Sequence, residues 1–179
     1  FDASEFSGSS VVHAVSGGAK RQEPLLLGLA TADAEVIFDE SLRWAELTVS
    51  DAAVRQAFLS FPKRDMQSLK GVPAEFPVRF VRGNNSSWLL VGNASRMAAD
   101  VNVSISAAVE GVDVVTKQDF STVDNQLVVG LSPWSLRVIR LHGPGAGTPP
   151  NAATVRFEEG AVQRICLLYT SDAADERLR

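Results

Sequence analysis

The chain has 179 residues, is 45% hydrophobic and carries a formal net charge of −4. A slightly acidic chain without basic clusters argues against a nucleic-acid-binding surface. No apolar run approaches the roughly 20 residues of a membrane-spanning helix, and one cysteine, Cys166, cannot build a disulfide framework or a thiolate metal site.

From Phe1 to about Lys70 the texture is mixed α/β. Val11 to Val15 reads as a short strand, and Pro24 opens an apolar stretch over Leu25 to Ala32. Proline suits a first helical position because its missing N–H would be unpaired there anyway. Gly28 works against that helix. Glu35 to Phe38 reads as a second strand, ending at Asp39-Glu40. The clearest helix then follows. Ser50 is placed to cap it and Asp51 to meet the positive end of its dipole. Val54, Ala57, Phe58 and Phe61 recur on one face, and Pro62 stops it. Strand, helix, strand, helix is the rhythm of an α/β layer or barrel. Two such units cannot close a barrel, so residues 1–70 are expected to be the C-terminal tail of a larger domain.

Between Phe76 and His142 the pattern changes to short strands separated by turns. Expected strands are Pro77 to Arg82, Trp88 to Val91, Val101 to Ile105, Val112 to Thr116, Gln126 to Leu131 and Leu136 to Leu141. Val101, Val103 and Ile105 alternate with Asn102, Ser104 and Ser106, the signature of a strand with one wet face. About six such strands with regular turns predict an antiparallel β-sandwich. Residues 143–151 are rich in Gly and Pro and read as a linker. Residues 152–165 are expected to open a further module.

The run Cys166-Leu-Leu-Tyr-Thr-Ser-Asp-Ala-Ala-Asp-Glu176 resembles translated sequencing adapter, so 166–179 is expected to be no part of the natural protein. The rival is a natural Ser/Asp/Ala-rich tail. Setting the tail aside removes the only cysteine, and with it any cysteine nucleophile. The chain starts at Phe1 without an initiator Met, so its start too is expected to be missing, and the lack of a leader says nothing about export.

Few residues could carry chemistry. Asp39 and Glu40 follow a strand, where α/β barrels hold catalytic groups. Paired carboxylates suit glycoside hydrolysis, one protonating the leaving oxygen and the other attacking or activating water. Neighbours on a strand point to opposite faces, however, and a solvated acidic turn is the ordinary alternative. Trp44, Trp88 and Trp134 could stack on sugar rings, although tryptophan more often packs in a core. His13 lies on an apolar strand without ligand spacing around it, and His142 ends the last strand. Asn85-Ser-Ser87, Asn93-Ala-Ser95 and Asn102-Val-Ser104 fit the N-glycosylation pattern. No phosphate loop, nucleophile elbow or metal cluster is present, and no cofactor is expected.

Two stretches carry a family resemblance. Ser87-Trp-Leu-Leu-Val-Gly-Asn-Ala-Ser95 and Leu131-Ser-Pro-Trp-Ser-Leu-Arg-Val-Ile-Arg-Leu141 look like the hairpin and closing strand of the small sandwich that follows a TIM barrel in bacterial glycoside-hydrolase-like proteins. Pro24 to Asp33 with Val36 to Asp39 is similar to the last barrel helix and strand of uncharacterised family 10-like members. The segment after Asp39 departs from that pattern. The resemblance implies a barrel tail followed by a supporting sandwich, in an extracellular or periplasmic multidomain protein acting on poly- or oligosaccharides. The catalytic carboxylates would lie outside this chain, which is then inactive alone. A non-catalytic carbohydrate-binding module and a cell-surface structural module are the competing expectations.

Overall fold

In the computed structural model, residues 10–14, 26, 34–39, 49–62, 66–83 and 86–157 are described. Strands β1 (Ser10–Ala14) and β2 (Ala34–Asp39) pair in parallel, with Val11 opposite Val36 and His13 opposite Phe38. Parallel neighbours need a crossover connection. Within that crossover Leu26 is helical and fully buried. A closed barrel is not among the described residues.

Helix α1 spans Val49–Ser60, so Ser50 lies inside the first turn instead of capping it. The predicted apolar stripe is the buried one: Val54, Ala57, Phe58 and Phe61 face inward, while Gln56, Leu59 and Ser60 are exposed. The Ser60 hydroxyl donates to the Gln56 carbonyl at 2.7 Å, and Pro62, which cannot continue the ladder, follows closely.

Nine further strands form two antiparallel sheets. They are β3 (Met66–Ser68), β4 (Val78–Val81), β5 (Ser87–Asn93), β6 (Ala99–Ser104), β7 (Glu110–Asp113), β8 (Asp119–Ser121), β9 (Gln126–Leu131), β10 (Ser135–His142) and β11 (Ala152–Phe157). The larger sheet runs β3-β4-β5-β10-β7-β8 and the smaller β11-β6-β9. Strand β6 behaves as its alternation predicts, with Ala99, Val101 and Val103 buried and Asp100, Asn102 and Ser104 half-buried. Its buried face meets Phe80, Leu89, Val91, Ile139 and Leu141 of the larger sheet in the sandwich core. Gly111 makes room there: a Cβ at this position would lie 2.7 Å from Ile139 Cγ2 and 3.1 Å from Leu141 Cδ2.

The larger sheet is also covered on its other side. Val81, Leu90, Leu136 and Val138, which alternate with the core residues along β4, β5 and β10, pack against Leu26 and the apolar face of α1. The result is three layers: helix, six-stranded sheet, three-stranded sheet.

Residues 143–157 correct an expectation. β11 pairs antiparallel with β6 along its whole length, with Val155 opposite Val101. Phe157 packs edge-on against Phe76, ring centroids 5.7 Å apart. The Gly/Pro stretch is therefore the crossing from β10 in one sheet to β11 in the other, not a boundary. Its backbone is stitched down, with Asn151 N–H donating to the Ser104 carbonyl at 2.9 Å, and Ala146 is buried. The adapter-like residues 166–176 lie outside the described residues.

A buried amide locks one end of the sandwich. Asn93 is fully buried; its Nδ2 donates to the carbonyls of Met97 (2.8 Å) and Ser132 (3.0 Å). Its Oδ1 accepts from the Ser95 N–H (2.9 Å) and hydroxyl (2.7 Å). Every polar atom of the side chain is engaged, so the Asn93-Ala-Ser95 pattern is a structural joint and no acceptor for a glycan.

Two expectations follow for stability. Leu89→Ala and Leu90→Ala, on opposite faces of one strand, should each cost about 2–5 kcal/mol, whereas exposed Leu59→Ser should stay within about 0.5 kcal/mol; chemical denaturation measures all three. Asn93→Ala should cost about 1–3 kcal/mol by leaving buried partners unpaired, and a wild-type midpoint for that variant would show that the network is not stabilising.

Candidate functional site

Asp39 is the last residue of β2, opposite Ala14, at the C-terminal end of a parallel strand. Glu40 and Trp44 lie outside the described residues. The pairing of Asp39 with Glu40 therefore lies outside the described residues. His13 sits within β1, on the strand beside β2.

Trp134 and Trp88 are both half-buried, and both border the helix-side cluster. Trp134 follows Pro133 in the turn between β9 and β10 and has φ +53°. That sign of φ is usually taken by glycine at the third place of such a turn. A bulky residue there costs about 1–3 kcal/mol and persists only where its surroundings fix it. Here they do: Trp134 N–H donates to the Ser95 carbonyl at 3.3 Å, in the loop held by Asn93, and the ring packs on the helix-side cluster.

Trp88 lies toward the far end of the same face. It sits two residues from Leu90 on β5, at the border of the helix-side cluster. Gly83 lets the ring lie against the backbone, since a Cβ there would come 2.7 Å from Trp88 Cζ3. The Arg140 guanidinium sits over the ring, 6.0 Å from its centroid, and Arg140 Nε donates to the Ser86 hydroxyl at 3.3 Å. Register extends this pair across the sheet. Arg140 lies opposite both Trp88 and Val112, and Val112 lies opposite Asp119. One pleat on, His142 lies opposite Glu110, and Glu110 opposite Ser121. His142 Nε2 stands 3.3 Å from Glu110 Oε2, and both side chains are well exposed. Glu110, Val112, Asp119, Ser121 and His142 line an open concavity of about 430 Å³.

A third polar cluster is structural. Asp113 Oδ1 accepts from the N–H groups of Val115 (2.8 Å) and Thr116 (2.9 Å), closing the turn after β7. Its buried Oδ2 has no hydrogen-bond partner and faces Arg137 Nη1 at 3.8 Å. Arg137 is itself held by Gln118 Oε1 at 2.6 Å and lies over the Phe120 ring.

Among the described residues no group of His, Cys, Asp and Glu is arranged to hold a metal ion, and no helix is long and apolar enough to cross a membrane. Sequence reasoning singled out Trp88 and Trp134 but not Arg140, Glu110 or Asp119, whose grouping depends on pairing across four strands.

No protein-family model matches the chain, and no curated protein matches it. Solved structures that resemble it include glycoside hydrolases at low identity. An α-amylase from Geobacillus thermoleovorans, solved with acarbose, aligns over 69% of this chain and 34% of its own, at 11% identity and a TM-score of 0.49. A family 30 subfamily 8 xylanase from Clostridium acetobutylicum aligns over 73% of this chain and 42% of its own, at 10% identity and a TM-score of 0.48. For α-galactosidase I from Mortierella vinacea the values are 74%, 38%, 15% and 0.44. The chain thus spans less than half the length of these structures.

Proposed function

We propose that this chain is part of a glycoside-hydrolase-like, carbohydrate-active protein in which the β-sandwich supports an α/β domain and performs no chemistry itself. The observation that carries this reading is the covered outer face of the larger sheet. Val81, Leu90, Leu136 and Val138 are buried by Leu26 and α1, both from the α/β segment. A face of aliphatic side chains joins the two parts of the chain by burial of apolar surface, which is worth about 25 cal/mol per Å². The hairpin from Ser87 and the closing strand to Leu141, which carry the resemblance to sandwiches that follow barrels, are the two strands at the centre of that contact.

In this reading Asp39 and Glu40 are the candidate carboxylates and Trp44 a candidate stacking ring. Glycoside hydrolysis needs a second carboxylate roughly 5–9.5 Å away across the sugar. Asp39 and Glu40 adjoin in sequence and point apart if β2 continues, so a partner from another strand of the same domain would complete the pair.

The test is expression of the gene together with its flanking coding sequence, assayed for release of reducing sugar from starch, xylan and galactomannan. Hydrolysis of at least one is expected, and inactivity over a broad glycan panel would contradict the enzyme reading. The supporting role has its own readout. In the same protein Ala57→Asp places a charge in the helix–sheet contact and should lower the melting of both parts together. Melting of the sandwich at its original temperature would refute it.

A further inference from the structure

The larger sheet's outer face beyond Leu90 and Val138 is built differently from the part under α1, with Arg140, Glu110, Asp119, Ser121 and His142 exposed. We infer that it is a saccharide-binding face, with Trp88, Arg140, Glu110, Asp119 and Ser121 taking a neutral oligosaccharide across β5, β10, β7 and β8. This goes beyond a supporting role, because it gives the sandwich a ligand of its own.

The chemistry of the face selects that ligand. A sugar presents hydroxyls that both donate and accept, alternating with patches of C–H. Arg140 supplies only donors, the Glu110 and Asp119 carboxylates only acceptors, and the Ser121 hydroxyl both. Val112 and the edge of Trp88 supply apolar surface between them, in the row Trp88, Arg140, Val112, Asp119. Arg140 is positioned in advance. Its stack on Trp88 and its bond to Ser86 remove much of the rotamer freedom that binding would otherwise cost. The concavity of about 430 Å³ beside it falls within the range of small-ligand sites.

Charge separates this ligand from others. Two carboxylates beside one guanidinium would repel phosphates and nucleic acids, while Arg140 opposes a polycation. A neutral polyol meets no such penalty and can pair with Arg140, Asp119, Ser121 and the Glu110 oxygen that does not face His142.

Affinity electrophoresis of the full chain through gels containing soluble starch, xylan or galactomannan provides the test. Retardation in at least one polysaccharide is expected. Arg140→Gln and Glu110→Gln should each weaken it about tenfold, the equivalent of one charged hydrogen bond. Both side chains are exposed, so unfolding midpoints should stay at the wild-type value. Val128→Thr, on the outer face of the smaller sheet, should leave retardation unchanged. Equal mobility with and without every polysaccharide would overturn the inference, as would retardation that survives either Gln substitution. Neither result depends on whether the parent hydrolyses glycans, so failure here and failure of the enzyme reading are separate outcomes.

Discussion

Strands β4 and β5 are dry on both faces along nearly their whole length, as is the centre of β10 at Val138 and Ile139, and the rest of the architecture follows from that. An antiparallel sheet commonly keeps one face in water. Here the side chains of one parity, among them Phe80, Leu89 and Ile139, enter the sandwich core, and those of the other, Val81, Leu90 and Val138, lie under α1. Such a sheet cannot be stable without its helix, because removing α1 would expose a row of aliphatic side chains. Nor can the helix stand alone, since a 12-residue helix is marginal in water without a surface to pack on. The α/β segment and the sandwich are therefore bound by mutual need at this contact.

The contact also determines where chemistry can occur on the outer face. Aliphatic residues end with Leu90 and Val138. Two residues further along the same strands stand Trp88 and Arg140, and beyond them the exposed carboxylates of β7 and β8. Within one sheet the face changes from a dry joint to a surface that mixes donors, acceptors and apolar edges. Asn93 and the strained Trp134 turn hold the opposite end of this face, so the sheet has a fixed joint at one end and open polar groups at the other.

Where one face of a strand is wet, the sequence announces it. The alternation over Val101 to Ile105 and the α1 stripe from Val54 to Phe61 were both legible, because solvent imposes polar residues at a period of 2 or 3.6. β5 reads as a run of apolar residues, Trp88 to Val91, because both faces are buried; the strand is recognisable but its two environments are not. β3 and β8 are three-residue edge strands with too little pattern to find. β11 reads in sequence as the start of a new module because Gly and Pro mark a sheet-to-sheet crossing as readily as a linker. The polar face around Arg140 was invisible for a different cause: its members come from four strands, and only register brings them together.

Native-state hydrogen exchange tests the double-sided sheet most directly. If the helix and the sandwich form one cooperative unit, the amides of Val54 to Phe58 in α1 and of Leu89 to Val91 and Val138 to Leu141 in the sheet will exchange with the same opening free energy, equal to that of global unfolding. Helix amides exchanging orders of magnitude faster, with the central strands still fully protected, would show that the sheet does not need the helix and would contradict the account.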